Sequence, residues 1–311
     1  SFESAFPGDY TTRNDLLGWQ NNFRVSPALN LLGAFEWRRE TVQGSDALPV
    51  TARRTSSVLL GGDWAADDLR ANATLRLDDS SQYGTRTTAS GSVGYRLAPQ
   101  WRAVLSAGTS FKAPTFNDLY YPGYANPTLR PERGQNIEFG FRWSVTESNA
   151  SLTVYQNNVR DLIQFECDAN FNCAPQNVAK AQLRGVTLAG GTQLGGVRVD
   201  GSFDLADPRN TTTDTQLARR AREHGAVKLS GDLFGVTTGI ELLASGRRFD
   251  NASNSRALPG YAVLNLHASK QLWPGVRLGM RLENATDRDY QLAYGYATGG
   301  RRAWLTVAID R

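Results

Sequence analysis

Histidine, cysteine and methionine are scarce in this chain: two His, two Cys and one Met in 311 residues. His224 and His267 are far apart in sequence and lack metal-ligand spacing, so a zinc site with the cysteines is not expected. No GxSxG elbow, P-loop or HExxH segment occurs. Two histidines also leave little for general acid–base work, and no residue is singled out as catalytic. The chain is therefore not expected to be an enzyme, and nothing in it calls for a metal or an organic cofactor. Uninterrupted apolar runs of about 18 residues, the length of a membrane-spanning helix, are missing too. That excludes helical spans but not strands, whose lipid-facing and inward residues alternate and hide their hydrophobicity in any average. Charge of one sign is not concentrated either. The 34 basic and 30 acidic residues are interspersed and leave a net charge of +4, which argues against a nucleic-acid partner.

Alternation with period two dominates what is present. In Val276-Arg277-Leu278-Gly279-Met280-Arg281-Leu282-Glu283 every second residue is apolar, and Val197–Leu205, Ala71–Leu77 and Leu305–Ile309 repeat the pattern. A strand with one wet and one apolar side reads this way. His267 falls on the polar phase of Leu264-Asn265-Leu266-His267-Ala268, so it is expected to face inward rather than to catalyse.

The connections sort by length. Short turns are expected near Ser26-Pro27, Ala66-Asp67, Ala98-Pro99, Glu147-Ser148-Asn149, Gly195-Gly196, Phe234-Gly235 and Trp273-Pro274-Gly275. Longer polar loops are expected near residues 40–52, 78–86, 111–133, 165–177, 206–216, 247–258 and 285–300. Strict alternation of short and long over about fifteen strands is the pattern of an all-β, antiparallel transmembrane barrel with outer-membrane lipid around it. Sandwiches and propellers do not sort their loops onto two sides in this way. The first strand starts on the long-loop side and the last ends on the short-turn side, so the strand count is odd. Bacterial single-chain barrels have even counts. Together with a start at Ser1-Phe2-Glu3-Ser4 that lacks a signal sequence, this leads us to expect residues 1–311 to be one portion of a longer barrel.

Three segments carry a family resemblance. Gly108-Thr109-Ser110-Phe111-Lys112-Ala113-Pro114 leads into Asn126-Pro127-Thr128-Leu129-Arg130-Pro131-Glu132, a strand stopped by proline and a loop whose prolines fix the return. The pair is similar to the signature of TonB-dependent outer-membrane receptors, G-x-S/T-F/Y-K/R-A-P and N-P-x-L-x-P-E. Glu283-Asn284-Ala285-Thr286-Asp287-Arg288-Asp289-Tyr290 resembles the same family's later segment, with Ala285 and Thr286 replacing the usual Leu and Phe. Within the family, the cobalamin (vitamin B12) receptors are resembled most. Asp161-Leu162-Ile163, Gly185-Val186, Leu217-Ala218-Arg219-Arg220-Ala221, Arg248-Phe249-Asp250, Tyr294-Gly295-Tyr296 and Gly300-Arg301 fall in matching order, as does Trp19-Gln20-Asn21-Asn22 near the start.

The resemblance implies a barrel of about 22 strands with a plugged lumen, of which this chain supplies the C-terminal part. It also implies active uptake of cobalamin, energised by TonB through a segment that precedes these residues. A siderophore receptor or a passive porin is the alternative. The family's calcium ligands lie upstream, so no metal residue is carried over. The family's usual terminal aromatic is replaced by Ile309-Asp310-Arg311. The cobalamin-contacting arginine of the family falls on Arg219, which could instead be a loop arginine paired with Asp207 or Asp214. A threonine contact aligns near Gly8, with Thr11 and Thr12 close by. A tyrosine contact aligns near Ser253 and does not transfer. Phe111, Tyr120, Tyr121, Trp273 and Trp304 read as interfacial or loop aromatics rather than ligand-stackers. Cys167 and Cys173 are either two unrelated thiols or a disulfide closing a small loop, the latter being consistent with an oxidising compartment.

Overall fold

A computed structural model describes residues 9–45, 48–167 and 172–309. The strands of the first part are β1 (Tyr10–Arg24), β2 (Leu29–Gly44), β3 (Ala52–Ala66), β4 (Leu69–Ser80), β5 (Gly84–Ala98) and β6 (Trp101–Lys112). A five-residue helix, α1 (Phe116–Tyr120), comes before β7 (Glu132–Ser144), β8 (Ser148–Cys167), β9 (Cys173–Leu194) and β10 (Val197–Asn210). There follow β11 (Thr215–Gln216), β12 (Glu223–Leu233), β13 (Val236–Ser245), β14 (Arg248–Phe249) and β15 (Ala257–Leu258). The last are β16 (Tyr261–Trp273), β17 (Val276–Glu283), β18 (Gln291–Ala293), β19 (Tyr296–Ala297) and β20 (Arg302–Ile309).

The long strands follow one another in sequence order through a single 16-stranded sheet, with β11 hung on β10. The small pairs β14–β15 and β18–β19 stand outside it, within the loops. Neighbouring strands pair antiparallel, as a chain of hairpins must. By packing the chain divides into two compact units. One gathers the residues up to Tyr95 with Val104–Ile137 and Asn157–Ala181; the other gathers Arg96–Ala103, Glu138–Gln156 and the residues from Gln182 onward.

In the first unit, register decides which residues share a face. Partners directly across an antiparallel pair point the same way. The row Trp19–Phe35–Val58–Leu77 is apolar from strand to strand. The next row, Gly33–Leu60–Leu75–Ala89, is apolar as well. Trp19, Phe35, Val58, Leu60, Leu75 and Leu77 are all exposed, so this face is turned outward. On the opposite face, the row Glu36–Ser57–Asp78–Arg86, next to that of Phe35, is polar. Ser57 Oγ donates to Asp78 at 2.5 Å, and Arg76 reaches Asp78 at 2.9 Å and Glu36 at 3.5 Å. A cavity of about 340 Å³ with a wall of mixed charge lies on this face, among Glu36, Arg38, Glu40, Arg53, Arg76 and Asp78.

The second unit repeats the division. Val199–Leu229–Ile240–Leu266–Leu282 runs apolar across five strands, and Met280, Leu305, Val307 and Ile309 extend the band. The opposite row, Asp200–Lys228–Glu241–Asn265, is polar, with Asn265 Nδ2 donating to Glu241 at 2.9 Å. His267 lies on this polar face over Gly239, whose missing Cβ leaves room for the ring. Trp304 falls opposite Arg281 in the same row as His267. It therefore shares the polar face, and is not part of an outward aromatic belt.

The short turns lie where the sequence places them. Phe234 (φ 52°) and Gly235 (φ 74°) both take positive φ, the two-residue turn whose twist matches a hairpin. Several loops prove shorter than expected, because the strands run on into them. Between β4 and β5 only residues 81–83 are turn, and β8 and β9 run to Cys167 and from Cys173, over 20 and 22 residues. Backbone pairing continues past the apolar band, where both faces are polar and the alternation signal vanishes.

Candidate functional site

In the first unit the family-like segments meet in a closed lock. Thr115 and Asp118 exchange capping bonds of 2.9 and 3.1 Å, which start α1 after Pro114. Phe116 and Leu119 are buried by that turn. Arg53, itself buried, donates to Glu40 at 2.7 Å and to the Pro114 carbonyl at 3.0 Å, and its guanidinium lies 5.1 Å from the Phe116 ring. The buried Glu132 accepts the Ile163 N–H at 3.0 Å and the Lys112 ammonium at 3.2 Å. Asp161 holds a left-handed backbone (φ 58°), which a β-strand residue rarely takes. Arg130 holds its carboxylate at 2.6 Å, and Asn177 Nδ2 holds its carbonyl at 2.7 Å. Asn177 also closes a two-way bond with the Arg130 backbone, at 2.8 and 2.9 Å. Asn-Pro-x-Leu-x-Pro-Glu and Asp-Leu-Ile are thus two halves of one structural clasp. Of the aromatics, Tyr120 takes a bond from Gln82 at 2.9 Å, Tyr121 packs on Tyr10 at 5.6 Å and Phe111 lies beneath Arg86 at 5.7 Å.

The second unit carries a more open arrangement around Asp250. Leu217 and Ala221 are buried and pin the segment between them, so that Arg219, Arg220 and Arg222 project outward. Gln216 and Asn254 bond each other reciprocally at 2.7 and 2.8 Å, tying this segment to the loop between β13 and β16. Arg219 has φ 59° and donates its N–H to the Phe249 carbonyl at 2.6 Å. Its Nε reaches Asp250 Oδ1 at 2.9 Å, and the Tyr294 N–H reaches the same oxygen at 3.1 Å. Asp250 N–H in turn bonds the Arg256 carbonyl at 2.8 Å, and the Arg256 guanidinium lies 4.4 Å over the Tyr294 ring. One carboxylate oxygen therefore joins three loops. Below it the buried Arg248 donates to the Gln291 carbonyl and lies 5.3 Å over Tyr261, which stacks on Tyr290 at 4.3 Å.

The Asp250 side chain is 9% exposed and that of Arg219 57%. Burial alone pushes the Asp250 carboxyl up, but the Tyr294 N–H and the Arg219 and Arg256 guanidinium groups outweigh it and hold the group below its ordinary range. Arg219 is thus fixed by Nε, while its two terminal nitrogens have no partner among the described residues. Such a fork suits carboxylate, phosphate or amide oxygens.

The ion pair differs from the one considered from sequence. Asp207 is engaged by Arg184, Arg209 and Arg222, and Asp214 by Arg209, so neither is the partner of Arg219. Asp250 was visible only as part of a motif, because a contact between loops leaves no local signal. Thr11 and Thr12 are both exposed on β1 but point to opposite faces. Thr11 shares the outward face of Leu17 and Trp19; Thr12 pairs with the buried Val42 on the polar one. Ser253 is tied up with Asn251 and Ser255 in its own loop. Cys173 is disulfide-bonded, and the side chain of Cys167 lies outside the described residues. No group of metal-ligating side chains occurs among the described residues.

Residues 1–285 match the family described as TonB dependent receptor-like, beta-barrel. The chain belongs to that family. It is an outer-membrane β-barrel chain. Over 301 residues it is 28% identical to the vitamin B12 transporter BtuB of Photobacterium profundum, a match that covers 95% of this chain and 50% of that protein. The chain spans about half the length of the curated relatives it matches. Among solved structures, the copper transporter OprC superposes with a TM-score of 0.79 at 19% identity, over 98% of this chain and 57% of that one. The ferric enterobactin receptor PfeA of Pseudomonas aeruginosa gives 0.80 at 16%, over 96% and 54%. At such identities the structural likeness speaks for the fold alone.

Proposed function

We propose that this chain is the C-terminal portion of a receptor that takes up cobalamin across the outer membrane, energised by TonB through a segment outside these residues. It acts by binding and translocation, not as an enzyme. Two supports come from different directions. The relatives matched at 28% identity over nearly the whole chain are vitamin B12 transporters. The observation that carries the reading is Arg219, whose guanidinium is fixed at one nitrogen by a buried carboxylate and open at the other two. Cobalamin offers amide carbonyls and a phosphate, acceptors that such a fork can take two at a time. Of the two threonines, Thr12 is the one on the polar face, so any contact near the start of β1 runs through it rather than Thr11.

Titration of the full-length receptor with cyanocobalamin, in competition with ferric enterobactin, tests the reading. Tight cobalamin binding that the chelate does not displace is expected. Tight binding of ferric enterobactin with no measurable cobalamin affinity would make the protein a siderophore receptor. Liposome swelling with small sugars in the absence of TonB would point to a passive porin.

A further inference from the structure

On the outward face of the first unit, Arg39 of β2 and Arg54 of β3 stand directly opposite each other. Their Cβ atoms are then about 4.5–5.5 Å apart, and like charges so placed repel. Both are exposed, and neither guanidinium has a hydrogen-bond or ion-pair partner among the described residues. The carboxylates on this face are engaged elsewhere. Asp15, across from Arg39, takes Arg13 at 2.8 Å, and Asp79 takes the Thr85 hydroxyl at 3.2 Å.

The other face of the same strands is built differently. Arg38 meets Glu36 at 3.0 Å, Arg53 meets Glu40 at 2.7 Å and Arg76 meets Asp78 at 2.9 Å. The polar face thus matches its arginines with carboxylates, whereas Arg39 and Arg54 face each other without one. Position supplies the reason. Arg39 follows Trp37 on the outward face by one step of the alternation, and Trp37 sits across from Leu17. Tryptophan marks the membrane–water boundary, and two residues of strand advance about 6–7 Å. The two arginines therefore lie just beyond the apolar band, at the level of lipid headgroups.

We propose that Arg39 and Arg54 form a binding site for the phosphate of a membrane lipid headgroup. One phosphate lying between the two planar forks turns a repulsive pair into two charge-assisted contacts, with the acyl chains running along Val58, Leu60 and Phe35 below. The assignment commits to a lipid because the site continues the apolar band on the outward face.

Native mass spectrometry of the detergent-purified full-length receptor decides the matter. Dioleoyl phosphatidic acid, with an open phosphate, and dioleoyl phosphatidylcholine, whose phosphate is masked, serve as probes. The wild type should retain phosphatidic acid at least about tenfold more strongly, and R39Q/R54Q should lose that preference. Arg38→Gln, on the polar face, should keep it. Should the double variant fail the heat-modifiability check for a folded barrel, the single variants R39Q and R54Q take its place and each should lower retention. No preference in the wild type, or a preference that survives removal of both arginines, overturns the proposal. Displacement of the lipid by millimolar inorganic phosphate alone would also overturn it, since the site would then be one for free anions.

Discussion

Glu132 and Asp250 are both carboxylates held largely out of water by several donors, yet their donors differ in what they have left. Glu132 takes the Ile163 N–H and Lys112, beside a clasp in which Arg130 and Asn177 are also engaged. Asp250 takes Tyr294 N–H and one nitrogen of Arg219, whose remaining donors face solvent. The first arrangement is closed and its charge is consumed in holding backbone. The second spends part of an arginine on position and keeps the rest for another molecule. A charged group is best read by counting its unspent donors, and the two sites make opposite predictions on that count.

The largest effect belongs to the clasp. Glu132→Ala leaves the Ile163 N–H without its acceptor and Lys112 without its counter-charge, and should destabilise the full-length receptor by about 2–3 kcal/mol in urea unfolding. Cobalamin affinity of the folded fraction should hardly change. Glu132→Gln keeps an acceptor and should cost about half as much. If Glu132→Ala left stability untouched, the clasp would not be structural and the contrast with Asp250 would collapse.

Of similar size, but confined to one hairpin, is the disulfide proposed between Cys167 and Cys173. Closing so short a loop should stabilise the β8–β9 hairpin by roughly 2–3 kcal/mol in the chain-entropy picture. Cys167→Ser with Cys173→Ser should therefore raise proteolytic nicking there without touching cobalamin binding. A thiol assay on unfolded, unreduced protein should find no free thiol, and two reactive thiols would refute the pairing.

Arg219 should show the reverse profile. Arg219→Ala should weaken cyanocobalamin binding about ten- to hundredfold, the equivalent of roughly 1.5–3 kcal/mol for a charge-assisted contact. Stability should shift by less than about 1 kcal/mol, since the pair it forms with Asp250 is exposed on the arginine side. Arg219→Lys should recover only part of the affinity, because an ammonium cannot reproduce the fork. An unchanged dissociation constant for Arg219→Ala would leave the residue a loop brace and nothing more.

The sequence made some of these features legible and concealed others, for physical reasons. Turns were readable because each needs a residue that tolerates its backbone, as at Asp67, Gly195-Gly196 and Gly275, all at positive φ. Strand faces were readable wherever lipid lies on one side. The upper parts of β8 and β9 were not, because alternation fades once both faces are wet. The capping box of Thr115 and Asp118 was in plain sight and foretold α1, had the Pro114 stop been read as a helix start. Arg219 was found through resemblance. Its partner lies 31 residues away on another loop, and only folding could reveal it.

The smallest expected effect is one of pH, and it isolates Asp250 from the rest of the site. Burial raises its pKa, and the Tyr294 N–H, Arg219 and Arg256 lower it further than burial raises it, so the folded value lies below the ordinary 3.8. A carboxylate depressed on folding contributes stability that is fully present above the unfolded pKa and lost as pH falls through the folded one. The grip on Arg219 should therefore be constant from pH 8 down to about 5 and fail only below the ordinary carboxylate range. Cyanocobalamin affinity of the wild type should be flat over that interval and drop on the acid side. Asp250→Asn keeps an acceptor for the Tyr294 N–H but has no charge to lose. It should begin with a weaker hold on Arg219, and this component of the acid drop should vanish. If affinity already declined between pH 7 and 5, with the same slope in Asp250→Asn, another group would govern the site and the unspent donors of Arg219 would not owe their position to this carboxylate.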